Sequence, residues 1–325
     1  MLDRRTMMGG AMGLAALAAT RPAWGQAAGE TMTQWPPAEY FPLWPGRPPG
    51  SPKVLPKPNN SMNGGPPRRE LWLRGVAEPV VGVFRPANPD GRALLALPGG
   101  GYAFISVENE GINVAKTFNP KGVTVFVLAY RLPGEGWADP QDVPLQDGQR
   151  AMRLIRANAA KYGIDPAKLG CVGFSAGGLL SSSLAVAYDD PVYAKVDEAD
   201  AQSARPAFAG IIYPVTSGDR MRIGKLPSSR FDASKRISKG APPWNYGTPP
   251  IFIVHALDDD LVPTDSPMAM LNACREAGVP VEAHFLQEGG HGFGPRYLAP
   301  ELTGSQWTEW FELWMKRTLA QATPA

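Results

Sequence analysis

Short apolar runs punctuate the chain at regular intervals, and the segments between them return an apolar residue every three or four positions. Ala93 to Leu97, Val123 to Tyr130, Leu169 to Phe174, Phe208 to Val215, Ile251 to Ala256 and Val281 to Gln287 read as strands. Runs apolar on both faces are what a buried parallel strand needs. Glu70 to Leu73 and Val80 to Arg85 read as a leading pair of strands. Helical periodicity predicts helices over Leu145 to Tyr162, Ala176 to Tyr188, Thr264 to Ala277 and Gln306 to Leu319. In the last, Trp307, Trp310, Phe311 and Trp314 recur at helical spacing, a stripe that belongs to a core rather than to a site. Strands alternating with helices imply a mostly parallel central sheet with helices on both faces, an α/β fold. Ligands then belong at the carboxyl ends of the strands. No internal repeat and no second-domain boundary is visible.

Two segments fall outside this alternation. Residues 28–67 form a Pro/Trp-rich N-terminal arm ahead of a catalytic domain spanning 68–325. Its prolines forbid a helix and favour extended chain. Trp35, Tyr40, Phe41 and Trp44 would pin this arm to the domain, with sugar stacking as the functional alternative. Ahead of it, residues 1–27 carry Arg4-Arg5, an uncharged run from Met7 to Thr20, and small residues near Ala23, Gly25 and Ala27. That is the layout of an export signal, similar to a twin-arginine one and too short to span a bilayer. The expected destination is the periplasm or the outside of the cell.

Composition narrows the partners. The 325 residues are 44% hydrophobic and 19% charged, as a globular chain should be. The formal charge of +2 belongs to the signal: without residues 1–25, the 32 basic and 30 acidic residues become 29 of each. Such a balance gives no bulk reason to seek nucleic acid or an anionic membrane. Cys171 and Cys274 cannot make a disulfide scaffold or a cysteine-rich metal cluster, and sequence leaves open whether they pair. Residues 216–246 hold Arg220, Arg222, Lys225, Arg230, Lys235, Arg236 and Lys239 against Asp219 and Asp232. This reads as a solvated basic loop, the alternative being a surface for uronic acid groups.

The chemistry concentrates where a strand meets a helix. Gly173-Phe174-Ser175-Ala176-Gly177 is G-x-S-x-G, the pattern of a nucleophile elbow, in which glycines clear a sharp turn and the serine is pushed out at a helix head. A serine needs a base, and three histidines are available. His255 and His284 lie inside strands; His291 follows one, in the glycine-rich loop Gly289 to Gly294. The base needs a carboxylate to fix its tautomer. Asp258-Asp259-Asp260 follow another strand, with Asp259 the first choice and Asp258 the reserve, the unused acids capping the helix near Thr264. The expected catalytic residues are therefore Ser175, Asp259 and His291, in the chain order an α/β-hydrolase requires. Oxyanion donors are the backbone N–H groups of Ala176 and of Gly100 and Gly101, in a glycine run after the third apolar strand. Tyr102 and Trp244 are candidate substrate contacts.

With these residues in place the chain resembles the α/β-hydrolases, and more narrowly the secreted acetylesterase and acetyl-xylan-esterase-like group. The carriers are Pro98 to Tyr102, Ala129-Tyr130-Arg131-Leu132, Gly173 to Gly178, His255 to Pro263, Gly289 to Phe293, and Leu43-Trp44-Pro45-Gly46 in the arm. The resemblance implies a serine carboxylic ester hydrolase, working through an acyl-enzyme on acetylated plant polysaccharide or oligosaccharide, with neither metal nor cofactor. A peptidase or amidase on the same fold, and a sugar-binding homologue without catalysis, are the competing readings. Some relatives bear xylanase names, but glycosidase chemistry needs a facing pair of carboxylates where this pattern supplies a serine triad. Oligomeric state is not readable.

Overall fold

The computed structural model describes residues 33–66, 68–216, 232–240 and 246–322. Residues 1–27, expected to form an export signal, lie outside the described residues, as do Trp244, Arg220, Arg222, Lys225 and Arg230. In chain order the strands and helices are β1 (Tyr40–Pro42), β2 (Ser61–Asn63), β3 (Glu70–Trp72), β4 (Val80–Phe84), β5 (Ala93–Leu97), α1 (Asn113–Phe118), β6 (Thr124–Ala129), α2 (Val143–Ala157), α3 (Ala159–Tyr162), β7 (Leu169–Phe174), α4 (Ala176–Ala187), β8 (Ala209–Ile212), β9 (Ile251–Ala256), α5 (Asp265–Ala277), β10 (Val281–Leu286) and α6 (Trp307–Ala322). Eight strands make one sheet in the order β1-β4-β6-β5-β7-β8-β9-β10. Every pairing from β6 across to β10 is parallel, and β1 and β4 run antiparallel at one edge. This is the expected α/β-hydrolase arrangement.

Alternation along β7 shows how the sheet is covered. Cys171 faces α4, its Sγ 3.3 Å from Ser181 Oγ. Phe174, of opposite parity, meets Trp307 at the head of α6, ring centroids 6.1 Å apart. On that second face Phe311 of α6 reaches Phe118 of α1. The aromatic stripe is core: Trp307, Phe311 and Trp314 are buried, and Trp310 stacks on His284 of β10. Burying a side chain of that size contributes roughly 1.5–3 kcal/mol.

The sequence-based outline needs three corrections. Glu70 to Leu73 and Val80 to Arg85 are strands but not partners, since β3 pairs with β2 in a separate ribbon. The arm instead supplies the edge strand, β1, which pairs with β4. Prolines are tolerated there because an edge strand leaves one row of N–H groups unused. The helix expected from Leu145 to Tyr162 breaks at Asn158 into α2 and α3.

The arm is pinned as expected, and by more than aromatic packing. Trp44 is buried, and its Nε1 donates to Asp147 Oδ1 at 2.9 Å. Asp147 also accepts from Arg131, which is equally removed from solvent and pairs with it at 2.8 Å. Arg131 donates in turn to the arm carbonyl of Pro49 at 2.7 Å and lies over the rings of Trp44 and Trp137. The two motifs Leu43-Trp44-Pro45-Gly46 and Ala129-Tyr130-Arg131-Leu132 thus meet at one buried ion pair. Trp35 packs over Gly82 of β4 and Phe41 stacks on Tyr162, while Tyr40 stays exposed.

Candidate active site

Ser175 stands at the turn from β7 into α4, with φ +52° and ψ −116°. Close approach explains the glycines around it. A Cβ on Gly173 would collide with the carbonyl of Gly177, and one on Gly177 with the carbonyl of Leu97. Among the described residues the non-glycine positions with positive φ are Tyr102, Ser175 and Tyr213, and each follows a strand at its carboxyl end. Backbone held in that region costs about 1–3 kcal/mol and persists only where the surroundings over-determine it. All three surround one site.

His291, beyond β10, reaches over the sheet edge to the serine. Its Nδ1–H donates to Asp259 Oδ2 at 2.7 Å, leaving Nε2 to accept the Ser175 hydroxyl at 2.9 Å. Of the three histidines this one meets the serine; His255 is buried within β9 and His284 lies against Trp310. Asp259 is buried, and its Oδ1 accepts from the N–H groups of Leu261 and Val262. Burial would raise its carboxyl, but the His291 bond and charge and the two backbone donors outweigh it and hold the pKa below the ordinary carboxylate value. Asp258 has a different task. Its carboxylate accepts from Gly289 N and Gly290 N, and so shapes the loop before the histidine. The capping expected of it is not found, because α5 has no side-chain cap bond.

The glycine run after β5 turns under the serine. A Cβ on Gly99 would stand 2.9 Å from Ser175 Cβ and equally close to Glu110 Oε2. Gly99 N–H is committed to that Glu110 oxygen at 2.6 Å, which leaves Gly100 and Gly101 as the amides of the run available to a ligand. Ala176 N–H begins α4, where the helix dipole adds positive potential. The ring of Tyr102, expected as a substrate contact, is instead buried edge-on against Tyr130. Trp244, the other candidate contact, lies outside the described residues.

Sequence reasoning passed over the residues that join these parts. Glu110 and Asn109 sit in a π-helical turn, Glu108–Ile112, between β5 and α1. Asn109 Nδ2 donates to Gly292 O, and Tyr213 O–H donates to Glu110 Oε1 while accepting from Gly294 N. The available signal was a polar triplet, two glutamates flanking an asparagine in Glu108-Asn109-Glu110, in a stretch otherwise largely apolar. Among the described residues no group of His, Cys, Asp or Glu is disposed to hold a metal ion, and no helix is long and apolar enough to cross a membrane. Cys171 and Cys274 are free and buried, each thiol pushed up to about 12 by burial.

The chain resembles known proteins over much of its length. The BD-FAE family model matches residues 83–273. An acetylxylan esterase of Xylanibacter ruminicola is 32% identical over 221 residues, 65% of this chain and 43% of that protein. Endo-1,4-beta-xylanase B of Butyrivibrio fibrisolvens is 35% identical over 216 residues, 61% of this chain and 32% of its own length. The chain thus spans less than half the length of these two relatives. Among solved structures, an acetyl ester-xyloside bifunctional hydrolase from Caldicellulosiruptor lactoaceticus superposes with a TM-score of 0.65 at 26% identity, covering 86% of this chain and 96% of that one.

Proposed function

This chain belongs to the BD-FAE family, and we propose that it is a serine carboxylic ester hydrolase that removes acetyl groups from xylan-type polysaccharide or its fragments. The observation that carries the reading is the unbroken line from Ser175 Oγ through His291 to Asp259, at 2.9 and 2.7 Å, on a strained elbow. Such a line activates a hydroxyl that is otherwise too weak a nucleophile at neutral pH.

His291 Nε2 takes the hydroxyl proton as Ser175 Oγ bonds to the ester carbonyl carbon. The oxygen of that carbonyl becomes an oxyanion held by the N–H groups of Gly100, Gly101 and Ala176. Each such donor is worth about 10²–10³ in rate. The tetrahedral adduct breaks its bond to the alcohol oxygen, which leaves with the proton from His291. The acetyl group now sits on Ser175. Water gives a proton to His291 and attacks the same carbon; the Ser175 oxygen leaves, recovers that proton, and acetate is released. Asp259 stays ionised throughout and fixes the imidazole tautomer. The names of two relatives favour a carbohydrate ester: an acetylxylan esterase and an acetyl ester-xyloside bifunctional hydrolase.

We also take residues 1–27 as an export signal and the cell exterior or periplasm as the working compartment. One experiment tests substrate and address together: acetate release from acetylated xylan, acetylated pectin and a chromogenic acetate, assayed in fractionated cultures. The expected result is release from xylan outside the cytoplasm, lost from that fraction when residues 1–27 are deleted. Activity confined to the chromogenic ester would remove the carbohydrate assignment, and activity confined to the cytoplasm would remove the export one.

A further inference from the structure

The π-helical turn Glu108–Ile112 joins β5 to α1 yet spends its polar groups on other segments. Glu110, 3% exposed, accepts two hydrogen bonds, one on each oxygen. Oε2 takes the N–H of Gly99, at the start of the turn that presents Gly100 and Gly101. Oε1 takes the hydroxyl of Tyr213, which in turn accepts Gly294 N–H at 2.9 Å, three residues beyond His291. Asn109 holds Gly292 O at 3.0 Å, directly after His291. The Tyr213 ring stands 4.9 Å from the His291 ring and 4.6 Å from Phe293, and its own backbone is bent to φ +37°.

We propose that Glu110 is a positioning residue of the reaction: through Gly99 on one side and Tyr213 and Gly294 on the other, its carboxylate sets the distance between the oxyanion-binding turn and the loop of the base. This rests on the serine-esterase reading above. Nothing in the triad fixes where Gly100 and Gly101 lie relative to His291, because they follow different strands. A misplacement of about 1 Å at such a site can cost of the order of 10²-fold in rate. Glu110 supplies the missing tie, accepting on both oxygens. An amide that kept the Gly99 N–H on its oxygen would turn its NH₂ to the Tyr213 oxygen, which already takes the Gly294 N–H, so the hydroxyl would lose its acceptor and that end of the link would weaken.

The arrangement has a cost that a filler would avoid. Burial pushes the Glu110 carboxyl up to about 7, and the charge of Glu70 adds to the effect. The Tyr213 and Gly99 bonds and the electrostatic influence of His291 oppose it. Glu70 is held in the same pocket by Ser106 Oγ, Asn109 N and Trp72 Nε1. A buried carboxyl with two well-made bonds, both leading to the catalytic loops, is most simply explained by what it connects.

The test is a kinetic cycle on a soluble acetate ester, at a pH above the Glu110 transition. It uses the wild type, Glu110→Gln, Tyr213→Phe, the double variant and Ser175→Ala, with rates counted per serine titrated by an organophosphate in the proteins that keep Ser175 and per folded protein in Ser175→Ala. We expect kcat to fall about 10–100-fold in each single variant with KM within about 2-fold, the signature of a loss felt in the transition state. The double variant should be no slower than the slower single, because both changes break one chain of bonds. A folded Glu110→Gln protein with kcat within about 2-fold of wild type would overturn the proposal, as would fully additive losses in the double variant. Should Glu110→Gln fail to fold, Tyr213→Phe keeps the ring and loses only the link, so unchanged kcat in that variant overturns it equally. A wild type that cleaves no ester, or a Ser175→Ala protein as active as wild type, would instead sink the esterase reading beneath it.

Discussion

Of three consecutive aspartates, Asp258, Asp259 and Asp260, the first two have the same side chain and different surroundings. Asp259 is buried and faces His291; Asp258 is exposed and faces the amides of Gly289 and Gly290. Sequence could order them by preference but not decide, since one residue along the loop turns the side chain from the imidazole to the backbone. Asp259→Asn keeps the shape and removes the charge that fixes the tautomer, so kcat should fall about 10⁴-fold. Asp258→Asn retains a carbonyl oxygen for one of the two glycine amides and should cost about 10-fold or less, the loop being held elsewhere by Asn109 and Tyr213. Steady-state kinetics of the two variants side by side checks this, and a larger loss at Asp258 would reverse the assignment. Glu110 was beyond reach of the sequence for a related reason: its partners are residues 11 and 103 positions away.

At the scale of elements, what could be read was what periodicity and turn chemistry dictate locally. The apolar runs became β5 to β10, the G-x-S-x-G turn became the β7–α4 elbow, and the tryptophan stripe became the buried face of α6. Helix α1 went unread because it is only six residues long and is entered from a π-helical turn. Strand β1 went unread because proline density speaks for extended chain but not for its partner, which lies about forty residues away in β4. The arm's attachment shows how such non-local choices are fixed. Arg131 and Asp147 are both fully buried, and Trp44 and Pro49 complete their hydrogen bonds. Removing one partner leaves a buried charge unpaired, so Asp147→Ala should destabilise the protein by about 3–5 kcal/mol. Trp44→Phe, which loses one hydrogen bond and part of the ring contact, should cost less. Urea unfolding of both variants measures the difference, and a mild Asp147→Ala would mean that the arm is held by packing alone.

For the whole molecule, the fold was legible because it is written in repeated, redundant signals: five parallel pairings, each from a strand that had to be apolar. The site was legible in its reacting residues, which carry rare chemistry at strand ends, and much less so in the groups that hold those residues in register. Cys171 and Cys274 show the same limit, since only the fold reveals them as separate thiols in β7 and α5. The basic segment after β8 resolves in part: Arg236 forms a bidentate pair with Asp190 rather than standing free in solvent. In the proposed function, what the molecule does turns on one oxygen, Ser175 Oγ. The most direct measurement is the initial rate of acetate release from a chromogenic acetate by wild type and by Ser175→Ala, each shown to be folded. Transfer of the acetyl group through Ser175 predicts a loss of about 10⁴-fold or more in the variant, leaving only what the oxyanion donors and binding can do. A Ser175→Ala protein that releases acetate at the wild-type rate would contradict the account at its centre.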